Sequence, residues 1–176
     1  MLSARLDTAK LDLLFLLIYP IFILFQKQLL LLTLSKKEMD YKEISKKTVG
    51  YLYQAHSSIR TSEMDNTLIA LAELRISQLN GCSYCCSFHA NELREMGMEL
   101  SLIDKIPGYK HSVSFSPKQV LVLRWADAVT GLTEDMEVLL EELKKEFSEK
   151  EIVELTSSIS LMNALNRLRI SLGDKF

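Results

Sequence analysis

All three cysteines of this chain fall within five residues, at Cys82, Cys85 and Cys86, so no disulfide can staple distant loops together. The fold must therefore be held by burial of apolar side chains. With 176 residues the chain has the usual size of one domain and can build a substantial core. The cluster itself reads as a redox pair, a metal site, or packed cysteines in a reducing compartment.

From Met39 onward there is no alternating strand pattern, while helical periodicity and helix punctuation recur. A first helix is expected over about 43–59, with Val49, Leu52 and Ala55 among its apolar positions. A second is expected over 65–79, opened by Asp65 as N-cap and stopped by Asn80-Gly81. A third starts at Gly81 or Cys82 and ends before Gly97. A short helical turn is expected from Ser101, whose Ser-x-x-Asp spacing resembles a capping box. Residues 107–115 read as loop. Ser116-Pro117 marks the next helix, which stops near Gly131. Thr133 and Ser148 open two more, and Ser148 and Glu151 have capping-box spacing. The last helix covers about 149–172. The predicted fold is an all-α bundle.

Residues 1–38 differ from the rest. Leu13 to Phe25 is thirteen residues without a charge, followed by Gln26-Lys27-Gln28 and then Leu29 to Leu34. A spanning helix needs about 20 mostly apolar residues, so the first run is too short by itself. The longer stretch must bury Lys27 and tolerate Pro20. Acidic Asp7 and Asp12 before the run, and the lack of a small-residue cleavage site after Phe25, disfavour a signal peptide. Two domains are expected: a hydrophobic extension, 1–38, and a helical domain, 39–176. The extension reads as a stretch upstream of the domain's true start or as a weak membrane anchor, with membrane contact through residues 13–34. Lys36, Lys37 and Lys42 beyond it favour a cytoplasmic domain.

Formal net charge is −2, and no basic stripe appears, so there is no electrostatic footprint for nucleic acid. The expected partners are a small molecule, further copies of the chain, or a reducing protein.

On a helix, residues three, four and seven apart share a face, so Cys82, Cys85 and His89 point the same way. Asn80-Gly81 places Cys82 at the start of a helix, where exposed N–H groups and the positive dipole end favour a thiolate. A neighbouring imidazole can take the thiol proton or give one to a leaving group. This favours thiolate attack on a hydroperoxide, followed by resolution to a disulfide and reduction by thiol exchange. Two cysteines on a helix can also be plain core packing. Zinc is a lesser reading, because closed zinc sites draw ligands from two segments. No metal or cofactor is expected.

The run Ser77-Gln78-Leu79-Asn80-Gly81-Cys82-Ser83-Tyr84-Cys85-Cys86-Ser87-Phe88-His89 resembles the core signature of the carboxymuconolactone decarboxylase superfamily, in its alkylhydroperoxidase D-like (AhpD-like) branch. Its pattern is Ser-Gln-x-Asn-Gly-Cys-x-Tyr/Phe-Cys-x-x-x-His. The likeness continues through Leu123-Arg124-Trp125-Ala126-Asp127-Ala128 and through the closing segments around Phe147 and Asn163, covering roughly residues 41–173. It implies an all-helical AhpD-like homo-oligomer, a trimer or a pair of trimers. It also implies that Cys85 attacks the peroxide, Cys82 forms the disulfide with it, and His89 belongs to a proton relay. The implied reductant is a dihydrolipoyl or thioredoxin-like dithiol protein.

One departure matters. The family places a relay glutamate twelve residues before the first cysteine, where this chain has Ala70. Glu73, one turn further on, either takes that place or is a solvated or ion-paired position. His56 is expected to be packed or exposed, with a pocket position as the alternative, and His111 to lie in a loop. Asn163, Asn166, Arg167 and Arg169 are expected to make an oligomer contact or a buried polar network, with the contact favoured. Met96 and Met98 are expected to pack. Cys86 is expected to be a packed bystander. The leading functional expectation is a thiol-dependent hydroperoxidase. The alternatives are a non-catalytic redox-sensing or structural module and a muconolactone-type decarboxylase, whose chemistry needs no cysteine pair.

Overall fold

The computed structural model describes residues 19–20, 22–27, 39–132 and 136–173. The chain divides into two units, Met1–Glu38 and Met39–Phe176. In the first, residues 19–20 and 22–27 are helical. Among the described residues no helix is long and apolar enough to cross a membrane. Most of the 13–34 stretch lies outside the described residues.

The second unit is built, among its described residues, from helices alone: α1 (Tyr41–Ile44), α2 (Lys46–Arg60), α3 (Asn66–Asn80), α4 (Ser83–Glu95), α5 (Leu100–Ile103), a 3₁₀ turn (Ile106–His111), α6 (Pro117–Gly131), α7 (Met136–Leu143) and α8 (Glu149–Leu172). The all-α expectation is met. At its centre is α3, which packs on α4, α6 and α8. Every residue from Leu68 to Leu74 is buried, as are Ile76 and Ser77. A helix buried on nearly all sides is a core helix. Each buried Leu or Ile contributes about 1.5–3 kcal/mol relative to exposure.

Local chemistry sets the ends of α3. Asp65 accepts a hydrogen bond from the Thr67 N–H at 2.8 Å, capping an otherwise unpaired donor. At the other end Gly81 takes φ +71°. The Cys82 N–H then bonds Ser77 O at 3.0 Å and the Gly81 N–H bonds Gln78 O at 3.2 Å, the paired closure of a Schellman motif. The chain reverses there and delivers Cys82 as N-cap of α4. The serine signals also hold: Ser116 with Gln119 and Ser148 with Glu151 form complete capping boxes.

Three boundaries differ from expectation. The first helix is two, because Ser45 leaves helical geometry between α1 and α2. Ser101 lies inside α5, whose N-cap is Glu99. The expected loop is partly a 3₁₀ turn, because Ile106 and Tyr109 bury against α3 and α6. The helix start expected at Thr133 lies outside the described residues.

A polar cluster ties α3, the 3₁₀ turn and α6 together. Arg75 donates to Asp127 at 2.6 and 3.2 Å, and the Tyr109 hydroxyl donates to it at 3.0 Å. Burial pushes the Asp127 carboxyl up, but the bonds from Arg75 and Lys110 outweigh it and hold it below its usual value.

Candidate functional site

The site begins where α3 hands over to α4. Cys82 caps α4 with its own sulfur, which accepts from the Cys85 N–H at 3.4 Å. Cys82 and Cys85 are joined as a disulfide with Cα atoms 5.3 Å apart. Both are buried, at 3 % and 7 % exposure. The pair sits at the positive end of α4, where a thiolate released on reduction is stabilised. His89 lies one turn beyond Cys85 and is buried too. Cys86 stays outside the disulfide and packs, half-buried, against the core. Burial pushes its thiol up, which keeps it protonated and unreactive.

Behind this pair stands a buried carboxylate. Glu73 is fully enclosed on α3, which decides against the solvated reading. Its Oε1 accepts from the Ser158 hydroxyl at 2.7 Å and faces His56 Nε2 at 3.0 Å. Its Oε2 accepts from the Arg60 guanidinium and lies 3.4 Å from His89 Nδ1. Arg60 also donates to Glu92 at 2.8 Å, and Glu92 lies 3.0 Å from the same His89 nitrogen. Burial alone would raise the Glu73 carboxyl. The His56 hydrogen bond, His89 and the Arg60 guanidinium outweigh that and leave it below its usual value. Glu92 is lowered in the same way, against burial, by His89 and Arg60.

The four residues singled out in the sequence, Cys82, Cys85, His89 and Glu73, thus lie on two consecutive helices, with Glu73 reaching His89. Ala70, at the usual glutamate position, is fully buried in the apolar core. His56, expected to be packed or exposed, is a hydrogen-bonded member of the network. Arg60, Glu92 and Ser158 escaped sequence reading. Glu92 follows His89 by three residues, a helical neighbour spacing that marks it. Nothing local marks Arg60 or Ser158, which arrive from α2 and α8.

The donor atoms of Glu73, His89 and Glu92 lie within 4.8 Å of one another, a spacing that suits a cation. Arg60 already bonds both carboxylates and supplies that positive charge, so the cluster is an ion-pair network. A separate cavity of about 370 Å³, lined by Tyr109, Lys110, Arg124 and Asp127 among others, shares no residue with it. On α8, Asn163 bonds Asn80 at 2.9 Å and Thr130 at 3.0 Å. Asn166 is buried and bonds Ser77 at 3.4 Å. These two join the chain's own polar network. Arg167 bonds Asn163, and Arg169 stacks over the Tyr84 ring at 3.8 Å. His111 is exposed at the end of the 3₁₀ turn.

Fold and site together define an all-helical AhpD-like domain with a Cys-x-x-Cys helix cap backed by a buried carboxylate. The sequence profile of the carboxymuconolactone decarboxylase family matches residues 46–128. A crystal structure from Agrobacterium tumefaciens, of a protein of unknown function described as a candidate antioxidant defence protein AhpD, superposes with TM-score 0.72. It is 27% identical and covers 77% of this chain and 94% of its own. An uncharacterized peroxidase-related protein from Silicibacter sp. TM1040 shares the fold, at TM-score 0.64 and 18% identity, over 70% of this chain and 66% of its own. The uncharacterized protein YdfG of Bacillus subtilis is 23% identical over 141 residues, 79% of this chain and 96% of YdfG. Over residues 46–128 the chain matches the carboxymuconolactone decarboxylase family, and its fold is AhpD-like.

Proposed function

We propose that this protein is a thiol-dependent hydroperoxidase in which Cys85 attacks the peroxide, Cys82 resolves it and His89 handles the proton. The observation that carries the reading is the buried carboxylate–imidazole pair, Glu73 and His89, set one turn behind a Cys82–Cys85 pair already joined as a disulfide. The names of the Agrobacterium and Silicibacter proteins, antioxidant defence and peroxidase-related, point the same way.

His89 takes the Cys85 proton, and the thiolate attacks one oxygen of ROOH. An S–O bond forms as the O–O bond breaks, and the departing RO⁻ takes the proton from His89 as ROH. The Cys82 thiol then attacks the sulfur of the Cys85 sulfenic acid, forming the disulfide and releasing water. A protein dithiol, of the dihydrolipoyl or thioredoxin-like class, returns two electrons and two protons and becomes a disulfide itself. A homotrimer or hexamer belongs to the same proposal.

The burial of both sulfurs favours a second reading, a redox-sensing module that cycles slowly or not at all. Titration of free thiols in the reduced protein, before and after one equivalent of an organic hydroperoxide, separates the two. Loss of two thiols in the wild type, no Cys82-containing intramolecular disulfide in Cys85→Ser, and repeated turnover with a dithiol support the enzyme. Untouched thiols sink it, and oxidation without turnover leaves the sensing module.

A further inference from the structure

One carboxylate in this core faces a histidine on each side, and the two histidines present different nitrogens to it. His56 offers Nε2 to Glu73 Oε1 at 3.0 Å. His89 offers Nδ1, which lies 3.0 Å from Glu92 and 3.4 Å from Glu73. An ionised carboxylate only accepts hydrogen bonds, so an imidazole nitrogen against it must carry the hydrogen, and the other ring nitrogen of a neutral imidazole is then bare. We infer that Glu73 and Glu92 fix the two histidines in opposite tautomers, His89 as Nδ1–H with Nε2 bare and His56 as Nε2–H with Nδ1 bare, and that Glu73 positions His89 while remaining ionised throughout.

The acceptor count for Glu73 supports its staying ionised. A carboxylate offers about four lone-pair sites. Here two donors, Ser158 and His56, address Oε1 and Arg60 donates to Oε2, while His89 Nδ1, which bonds Glu92, lies 3.4 Å from Oε2. A proton on Oε2 would meet the guanidinium, and one on Oε1 would displace a hydrogen already bound there. Glu73 is also fully enclosed, with no direct exchange with solvent. It therefore acts as a fixed charge, and the group that gains and loses the proton is His89 Nε2, on the ring edge opposite the carboxylates.

The charges facing the ring agree. From α2 come His56 and Arg60, from α4 comes Glu92, and α8 contributes the uncharged Ser158. With both imidazoles neutral, two carboxylates against one guanidinium leave one surplus negative charge. A proton arriving on His89 Nε2 from a thiol neutralises it, so the network stabilises the imidazolium that the first step creates. The network meets water at Glu92, His56 and Arg60, whose side chains are 23 %, 21 % and 14 % exposed.

This deepens the hydroperoxidase reading, and its test does not depend on peroxide. The full-length reduced protein, labelled with ¹⁵N-histidine, is examined by long-range ¹H–¹⁵N correlation at a pH where the rings are neutral, with His56→Asn and His111→Gln used for assignment. The expected spectrum has His89 protonated on Nδ1 only and His56 on Nε2 only. A dominant Nε2–H form of His89, or Nδ1–H form of His56, overturns the assignment. In Glu92→Gln the amide can present either its oxygen or its NH₂ group, so both His89 tautomers are expected, and a single unchanged form removes Glu92 from the holding role. The Glu73 carboxyl carbon, followed by ¹³C from about pH 5 to about pH 9, is expected to stay at its ionised shift, whereas titration inside that range overturns the fixed-charge role. Correct tautomers with thiols that ignore peroxide would sink the hydroperoxidase and leave this inference standing. Reversed tautomers with peroxide turnover would do the opposite.

Discussion

Ser158 of α8 donates its hydroxyl hydrogen to Glu73 Oε1 of α3 at 2.7 Å, across 85 residues of sequence, with both side chains buried. Removing that donor leaves a buried carboxylate oxygen one hydrogen bond short, in a place with no room for bulk water. Ser158→Ala is expected to lose about 1–3 kcal/mol of stability, the cost of an unsatisfied buried acceptor. Urea unfolding at neutral pH measures it. An unchanged midpoint with unchanged slope would mean the hydroxyl contributes nothing to holding Glu73.

Ala70 tests the displaced glutamate from the other side. It is fully buried among Ile69, Leu71 and other apolar groups, so Ala70→Glu inserts a large side chain and a second carboxylate into a packed core. The variant is expected to lose about 3 kcal/mol or more, visible as a fall in Tm of roughly 6 °C or more for a domain of this size. A Tm within about 1 °C of wild type would show that position 70 has room and that the shift to Glu73 is not forced by packing.

Acid should weaken the domain in a defined window. Burial pushes Glu73 and Glu92 up, but their basic partners hold both below the usual 4.5, and Asp127 is likewise held below 3.8 by Arg75 and Lys110 against its burial. Because these folded values are depressed, the stabilisation is fully present above the unfolded values. It is lost as pH falls through the folded ones. Urea midpoints should therefore be insensitive to these carboxyls from about pH 7 to about pH 5 and fall steeply below about pH 4. A midpoint that holds to about pH 2 would contradict the assignment of these groups as paired carboxylates.

Cys86 should stand outside the redox chemistry. Its thiol is pushed up by burial and the disulfide excludes it. Cys86→Ser is expected to leave the number of peroxide-sensitive thiols at two and to cost about 1 kcal/mol of stability. If the variant loses the oxidation of Cys82 or Cys85, Cys86 is a participant after all, and mass mapping of the disulfides would identify its partner.

Much of this protein is decided locally and is therefore readable from sequence. Asn80-Gly81 before Cys82 sets the Schellman turn and the helix start, because only glycine takes φ +71° without cost. Ser116 and Ser148 with their residues three further on set two more helix starts. The spacing of Cys82, Cys85 and His89 puts them on one face before any tertiary contact exists. Boundaries that depend on burial escaped: the 3₁₀ turn exists because Ile106 and Tyr109 pack inward, and a fragment cannot state what it will be pressed against.

The role of Glu73 belongs to the tertiary structure. Its sequence neighbours are apolar, and on a bare helix the same residue would be an ordinary solvated carboxylate. What makes it a buried charge is the arrival of Arg60 and His56 from α2, Ser158 from α8 and His89 from α4. A charge can be buried only where partners from several directions replace its water. The sequence by itself determined the helices, the cysteine pair and the histidine one turn away. Only the packing of four helices decided which carboxylate stands behind that histidine and which nitrogen it leaves free, because hydrogen bonds between distant segments carry no signature in the local pattern.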